Sequence, residues 1–283
     1  MNVLPINEKA NFRIMSANML FDATAEERAP LLAQNFLYYL PDIIGCQEVN
    51  KLLHEKLITS LAELGYTATK AWPDPENLRD SEKESLCKKY PVVNYHPILY
   101  RAELYEEVES VFTMYKSTWT YTKGFTSAVL KRKSDGKLLA CVNTHAALVL
   151  KSYGLEQSDA ELGSQWRVDN IREMLAEKDR IIATYGNIPV FFTGDFNGSE
   201  EEPYYSAILD GGMVNTKYAA TESATHGICT FHGRPGAMPP TTRSPIDHVF
   251  VTPGTNVAVH SIELRQEALD ATDHCLVYAD VTI

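Results

Sequence analysis

Residues 187–198 read NIPVFFTGDFNG. The apolar run Val190-Phe191-Phe192 has the make-up of a short buried strand. It delivers a glycine, an acid, an apolar plug and an amide to the edge of a sheet. Asp195 can accept a proton or bind a cation. Asn197, two residues on, is expected to point the same way if the backbone stays extended. Gly194 and Gly198 allow the backbone to approach a ligand closely.

Working outward, other strand-like runs also end or begin on polar residues. FRIMSANML (12–20) carries Asn18, and DIIGCQ (42–47) runs into Gln47 and Glu48. KLLACVNTH (137–145) finishes on Asn143, Thr144 and His145, IDHVFVT (246–252) opens on Asp247 and His248, and Asp273-His274 precedes CLVYADV. If these ends converge, they supply carboxylates, amides and imidazoles in one place.

Between the strands, Thr24 and Glu27 have the spacing of a capping box for a helix to about Tyr39, ended by Pro41. Asn50 is placed to cap a second helix that Gly65 ends. VVNYHPILYR and LYEEVESVFTMY read as adjacent strands. Ser134-Asp135-Gly136 between FTSAVLKR and KLLACVNTH is a hairpin signal. SQWRVDNIREMLAEKDRIIATYG (164–186) is amphipathic at helical spacing and stops at Gly186, while 72–91 and 146–163 read as loops. GICTFHG, VAVHSIEL and LVYADVTI read as further strands. No repeat and no glycine- or serine-rich linker divides the chain. One domain over 1–283, two sheets with helices outside, is the expectation.

The 283 residues are 45% hydrophobic and 22% charged, as in an ordinary globule, with a net charge of −11. That charge argues against a protein that coats duplex DNA, which must neutralise phosphates. It permits a small phosphate ester brought in by a divalent cation. The N-terminus lacks the basic start and apolar core of a signal peptide, and no apolar run reaches the roughly 20 residues of a membrane span. Five widely spaced cysteines without a C-x-x-C fit reduced thiols and a cytoplasmic location.

The polar set suits metal-assisted phosphoryl transfer. Mg²⁺ takes a few hard oxygen ligands and keeps several waters, and Glu48 is the best single candidate ligand. A histidine held by a carboxylate can take a proton from water. His145 and the amide of Asn197 are candidates to stabilise charge on phosphoryl oxygens. A zinc hydrolase is disfavoured, because there is no H-x-x-x-H pair and no cysteine cluster.

In order, Asn18, QE at 47–48, NTH at 143–145, GDFN at 194–197, IDH at 246–248 and TDH at 272–274 resemble the endonuclease/exonuclease/phosphatase superfamily, the deoxyribonuclease I-like enzymes. The resemblance runs from about residue 12 to 283 and implies an α/β (α+β) four-layer sandwich of two packed mixed sheets flanked by helices. It implies one or two Mg²⁺ or Mn²⁺ ions and in-line attack of water on a phosphate ester. By that resemblance Glu48 is the chief metal ligand, with Asn18 beside it and Asp273 near a metal. Asp195 and Asn197 orient the nucleophile and a phosphoryl oxygen. His274 is general base or leaving-group acid, held by Asp247, and His145 donates to the phosphoryl group. Asn143 and His232 are candidate substrate contacts.

Three positions depart from the family pattern: Asn94 in place of a glutamate, His248 in place of tyrosine, read as packing, and TDH in place of SDH. TFHG at 230–233 and HPILYRAEL at 96–104 resemble a bacterial subgroup of metal-dependent hydrolases nearer to sphingomyelinase-like and general phosphodiesterase members. A metal-dependent phosphoesterase on a small or lipid-like substrate is the leading expectation. A nuclease is the alternative, and a non-catalytic module is disfavoured because Glu48, Asp195 and His274 are all present. Loops at 72–91, 115–124, 146–163 and 234–244 are expected to wall the site; Trp119, Tyr153 and Trp166 are read as packing residues first and as stacking surfaces for a base or sugar second, Trp166 lying on a helix with apolar neighbours.

Overall fold

The computed structural model describes residues 3–22, 24–71, 94–118, 123–148 and 159–283. Its first sheet holds β1 (Phe12–Asn18), β2 (Ile43–Gln47), β4 (Tyr66–Ala68), β6 (Ile98–Arg101), β12 (Glu222–Ala224), β14 (Asn256–Ile262) and β15 (Val277–Thr282), in the order β12-β14-β15-β1-β2-β6-β4. The second holds β7 (Tyr105–Met114), β8 (Gly124–Arg132), β9 (Leu138–His145), β10 (Val190–Asp195), β11 (Val214–Asn215) and β13 (Asp247–Val251), in the order β11-β13-β10-β9-β8-β7. A two-stranded piece pairs β3 (Val49–Asn50) with β5 (Asn94–Tyr95). Both large sheets are mixed: β1 is parallel to β2 and antiparallel to β15, and β10 is parallel to β9 and antiparallel to β13.

Alternation along the central strands makes the layers, because successive side chains leave opposite faces of a strand. In β1, Phe12 and Ile14 pack between the sheets with Phe191 of β10 and Val249 of β13. Met15 points the other way, with Ile44 and Leu99, onto α1 (Ala25–Tyr39) and α2 (Lys51–Ala62) through Leu32, Phe36, Leu53 and Leu57. In β10, Phe191 faces the other sheet, whereas Phe192 packs under α3 (Asp159–Tyr185) and α4 (Pro203–Asp210) with Ile171, Met174 and Ile208. Burying each such side chain contributes about 1.5–3 kcal/mol. The outcome is the expected four-layer sandwich.

Polar groups also tie the sheets together. Gln47 Nε2 donates to Asn143 Oδ1 at 2.6 Å, and Thr193 Oγ1 donates to the same oxygen at 3.1 Å. Asn143 Nδ2 donates to the carbonyls of Cys46, His96 and Pro97. This clip depends on Gly45: a Cβ there would lie 2.0 Å from Thr193 Oγ1 and 2.5 Å from Asn143 Oδ1.

Several local expectations are corrected. Thr24 stands at the N-cap of α1 but makes no side-chain cap; its hydroxyl bonds Asp22 and accepts from Arg28 Nε instead. Asn50 does cap α2, accepting from Leu53 N at 2.8 Å. β6 and β7 are consecutive without pairing, because the chain crosses from one sheet to the other at 102–104. GICTFHG forms no strand, only an isolated bridge between Phe231 and His274. The helix read from 164 starts five residues earlier, at Asp159. The β8–β9 hairpin forms as read, with Gly136 at φ +73. The loop at 72–91, Trp119, Tyr153 and the side chain of Asn94 lie outside the described residues.

Candidate active site

Sheet register gathers the polar strand ends. In the second sheet Asp195 pairs with His145 on one side and Asp247 on the other, and His145 pairs with Gly124, so one row crosses four strands. In the first sheet Asn18 pairs with Gln47, immediately before Glu48. Asn18 Nδ2 joins the two rows, donating to Asp195 Oδ2 at 2.9 Å and Glu48 Oε1 at 3.2 Å. His274 follows the turn that leads into β15, and its Nδ1 lies 2.8 Å from Asp247 Oδ2.

Two groups of potential ligands share Asp195. Ligand atoms of Glu48, His145 and Asp195 lie within 4.8 Å of one another, and so do those of Asp195, Asp247 and His274. Four carboxylates, Glu48, Asp195, Asp247 and Asp273, face two cationic side chains, His274 and Lys123, so a divalent cation would balance the formal charge. Hard carboxylate oxygens with an amide and an imidazole fit Mg²⁺ or Mn²⁺ better than a thiophilic metal. Asp273 belongs to neither group; it neighbours Glu48 electrostatically, and burial together with that charge raises its carboxyl.

The backbone is strained at two of these positions. Glu48 has φ +58 and Asn197 has φ +53, the left-handed region that side chains rarely adopt. Each costs on the order of 1 kcal/mol, a pattern that clusters at functional sites. The turn at Asn197 corrects the extended reading of GDFN: its backbone N–H donates to Asp195 Oδ1 at 2.9 Å and its side chain donates to the Ala146 carbonyl at 3.0 Å.

Two buried imidazoles flank Asp195, with His145 Nε2 at 3.4 Å and His274 Nε2 at 3.9 Å from Oδ2. Their charges differ. Burial alone would depress His274, but the charge and hydrogen bond of Asp247, then the charges of Asp195 and Asp273, push it up to about 10. Burial, then the charge of Lys123, hold His145 well below the usual histidine range. Asp195 is raised by burial and by Asp247, against the pull of His274 and Lys123.

Lys123 is the functional candidate that sequence reading missed. It immediately precedes β8, is 7% exposed, and its Nζ contacts His145 Nε2. Burial pushes the Lys123 ammonium down to about 8; while it is charged it has only donors, so Nε2 of His145 is the acceptor and the neutral imidazole carries its proton on Nδ1. That nitrogen is buried without a hydrogen-bond partner. His145 therefore offers no Nε2 proton to a phosphoryl oxygen while Lys123 is charged. The only signal in sequence was the position of Lys123 at the start of the strand paired with NTH.

Asn143 is corrected. It is 0% exposed and its amide is engaged in the clip between the sheets, so it presents nothing to a ligand. His232 lies next to the site, its Nδ1 2.9 Å from the Arg234 carbonyl and its buried Nε2 unpartnered. His248 packs against Phe196, Tyr205 and Phe250. Trp166 is half-buried on α3. Phe231 stands over His274 with ring centroids 5.0 Å apart.

The fold recurs in solved structures. An endonuclease/exonuclease/phosphatase from Bacteroides vulgatus superposes with TM-score 0.72 at 22% identity, covering 95% of this chain and 98% of its own. The mannosyl-6-phosphatase of Bacteroides thetaiotaomicron gives 0.71 at 20% identity, covering 96% and 100%. D. rerio TDP2 complexed with single-strand DNA product gives 0.66 at 17% identity, covering 96% and 99%. Among curated proteins no significant sequence match was found. The model of the Endonuclease/Exonuclease/phosphatase family matches residues 15–274, a span that contains Asn18, Glu48, His145, Asp195, Asp247 and His274. This chain belongs to the endonuclease/exonuclease/phosphatase family.

Proposed function

We propose that this protein is a divalent-metal-dependent phosphoesterase that hydrolyses a small or lipid-like phosphate ester, with Mg²⁺ or Mn²⁺ as its ion. The observation that carries this reading is Asp195, buried between two sets of potential ligands that reach Glu48 on one side and the Asp247–His274 pair on the other. Glu48 and Asp195 are the ligands, with Asn18 positioning both carboxylates through its amide. Asp273 adds negative charge nearby. The ion, once bound, supplies Lewis-acid stabilisation of the phosphoryl oxygens.

Asp247 orients His274 and holds it charged, which suits an acid that protonates a leaving oxygen. Any cation bound at Asp195 or Asp247 would offset the carboxylate charges that raise His274, moving it toward base chemistry with water. Asn197 fixes Asp195 through its backbone N–H. His145 is a neutral acceptor in this arrangement rather than a donor to phosphate. The net charge of −11 supports a small substrate over a long polyanion.

The test is hydrolysis of bis-p-nitrophenyl phosphate beside p-nitrophenyl phosphate with Mg²⁺, Mn²⁺ or EDTA, using His274→Ala as the control. Metal-dependent release from the diester that vanishes in the variant establishes a phosphodiesterase; release from the monoester alone establishes a phosphatase. Absence of both, and of turnover across a wide phosphoester panel by metal-bound protein, sinks the proposal. A nuclease reading has one specific support, the similarity in fold to TDP2 with its DNA product. Failure to nick plasmid or degrade single strands under the same conditions removes it.

A further inference from the structure

We infer that Lys123 is a substrate-contacting residue: its ammonium grips a non-bridging phosphoryl oxygen of the ester, and His145 is the seat that holds it there. The inference rests on the phosphoesterase reading and assigns the site's phosphate-binding cation.

Lys123 is more than nine-tenths buried, and a buried ammonium is costly unless its donors are met. It carries three N–H donors. One is accepted by His145 Nε2, and among the described residues no ion pair or further hydrogen bond occupies the other two. Burial pushes its ammonium down to about 8 against the charges of Asp195 and Glu48, with no close ion pair to either among the described residues. A cation so placed has two donors free beside the candidate metal ligands. An anion with tetrahedrally arranged oxygens is the ligand that completes them.

The neighbouring geometry points the same way. His145 Nε2 lies 3.4 Å from Asp195 and 3.8 Å from Glu48, so the lysine reaches the ligand set from the β8–β9 side. The other cation, His274, stands on the opposite flank of Asp195 with Asp247. A phosphoryl group above Asp195 would then meet one cation on each flank, which places positive charge where equatorial oxygens gather it during transfer. Tyr115 steadies this flank, its hydroxyl 2.5 Å from Thr144 Oγ1, next in sequence to His145.

A purely structural role makes a different prediction. A lysine that only neutralises Asp195 and Glu48 would change metal affinity and leave phosphate alone. The experiment compares wild type, Lys123→Gln and Lys123→Arg, each first loaded with Mn²⁺ and checked for thermal midpoint and Mn²⁺ affinity. Inorganic phosphate is then titrated calorimetrically, and its competitive inhibition constant is measured with the p-nitrophenyl ester that wild type turns over.

Expected for Lys123→Gln is phosphate binding weakened tenfold or more, with KM raised and Mn²⁺ affinity within about twofold of wild type. Lys123→Arg should recover most of the phosphate affinity, because charge and donors remain. Unchanged phosphate affinity in Lys123→Gln overturns the inference. So does a variant whose loss of phosphate binding comes with a raised Mn²⁺ affinity or a lowered thermal midpoint, which identifies Lys123 as a structural counter-charge. The calorimetric arm separates this failure from that of the parent reading: wild type that binds phosphate through Lys123 yet hydrolyses no ester removes the enzyme reading alone.

Discussion

His145 and His274 are the same residue type, equally buried, on either side of one carboxylate, yet His274 is held charged and His145 neutral. His274 has a carboxylate at 2.8 Å from its Nδ1, whereas the inner nitrogen of His145 meets an ammonium. Depth is shared, so depth does not explain the difference. The neighbour decides. Desolvation works against the charged form in both places, and only Asp247 is close enough to overcome it. A sequence shows two histidines at strand ends; their roles are set by what the fold puts beside them.

The comparison breaks most visibly at Asp247. Replacing it by Asn leaves the shape but removes the charge that holds His274 protonated and oriented. Activity on the best phosphoester should fall about 10³-fold or more, by analogy with loss of the carboxylate that orients a catalytic histidine. NMR titration of the metal-free variant should show the His274 imidazole returning toward ordinary values while His145 stays put. Movement of both would mean that the flanks are not independent.

Next comes the shared carboxylate side. Glu48→Gln should lower Mn²⁺ affinity by roughly 100-fold or more, at least the loss that outer-shell substitutions reach. The thermal midpoint of the metal-free variant should hold or rise, since one of several crowded negative charges is gone. Isothermal titration and a melting curve in EDTA check both halves.

Acid and base should separate the two imidazoles without altering either neighbour. In metal-free protein His274 has a folded value raised to about 10, so its contribution is complete below about pH 6.5 and is lost as pH rises toward 10. His145 is depressed when folded, so it adds nothing at alkaline pH and destabilises as pH falls below 6.5, by about 1.4 kcal/mol per pH unit. Urea denaturation across pH should show His274→Gln losing up to about 5 kcal/mol at pH 6 and little at pH 10. His145→Gln should flatten the acid slope. His248 and His260, both buried and depressed to about 3, steepen the same acid limb and set the background.

The smallest expected effect is at Phe231, whose ring packs against His274 on the charged flank. Phe231→Leu should cost about 1 kcal/mol of stability from the lost ring contact. It should leave Mn²⁺ affinity and the calorimetric phosphate signal unchanged. A drop in phosphate affinity would show that the two flanks communicate.

The sandwich and the polar strand ends that gather at the candidate site were legible because their signals are local. An apolar run that ends in Gly194-Asp195 needs no partner to be read, and Asn50 caps its own helix. What stayed hidden depends on which strand lies next to which. Lys123 reaches the site only because Gly124 pairs with His145. Asn143 looked like a ligand contact because it is polar near a strand end, but the opposing sheet, admitted closely at Gly45, supplies partners for its whole amide. Thr24 had the spacing of a cap, yet Asp22 and Arg28 capture its hydroxyl first. Asn197 turned left-handed to bond Asp195, a choice that extended-strand periodicity does not encode.

The pairing of β1 with β15 has a consequence in time. β1 is made before the other described strands and one of its two neighbours, β15, after them, and Arg13 finds Asp280 across 267 positions of sequence. Asn18 sits at the end of β1, and His274 just ahead of β15. During synthesis, the carboxylates at Glu48 and Asp195 exist well before His274 can join them. The polar groups of the candidate site are thus brought together only once β15 docks beside β1, so assembly of the site reports the pairing of strands far apart in sequence.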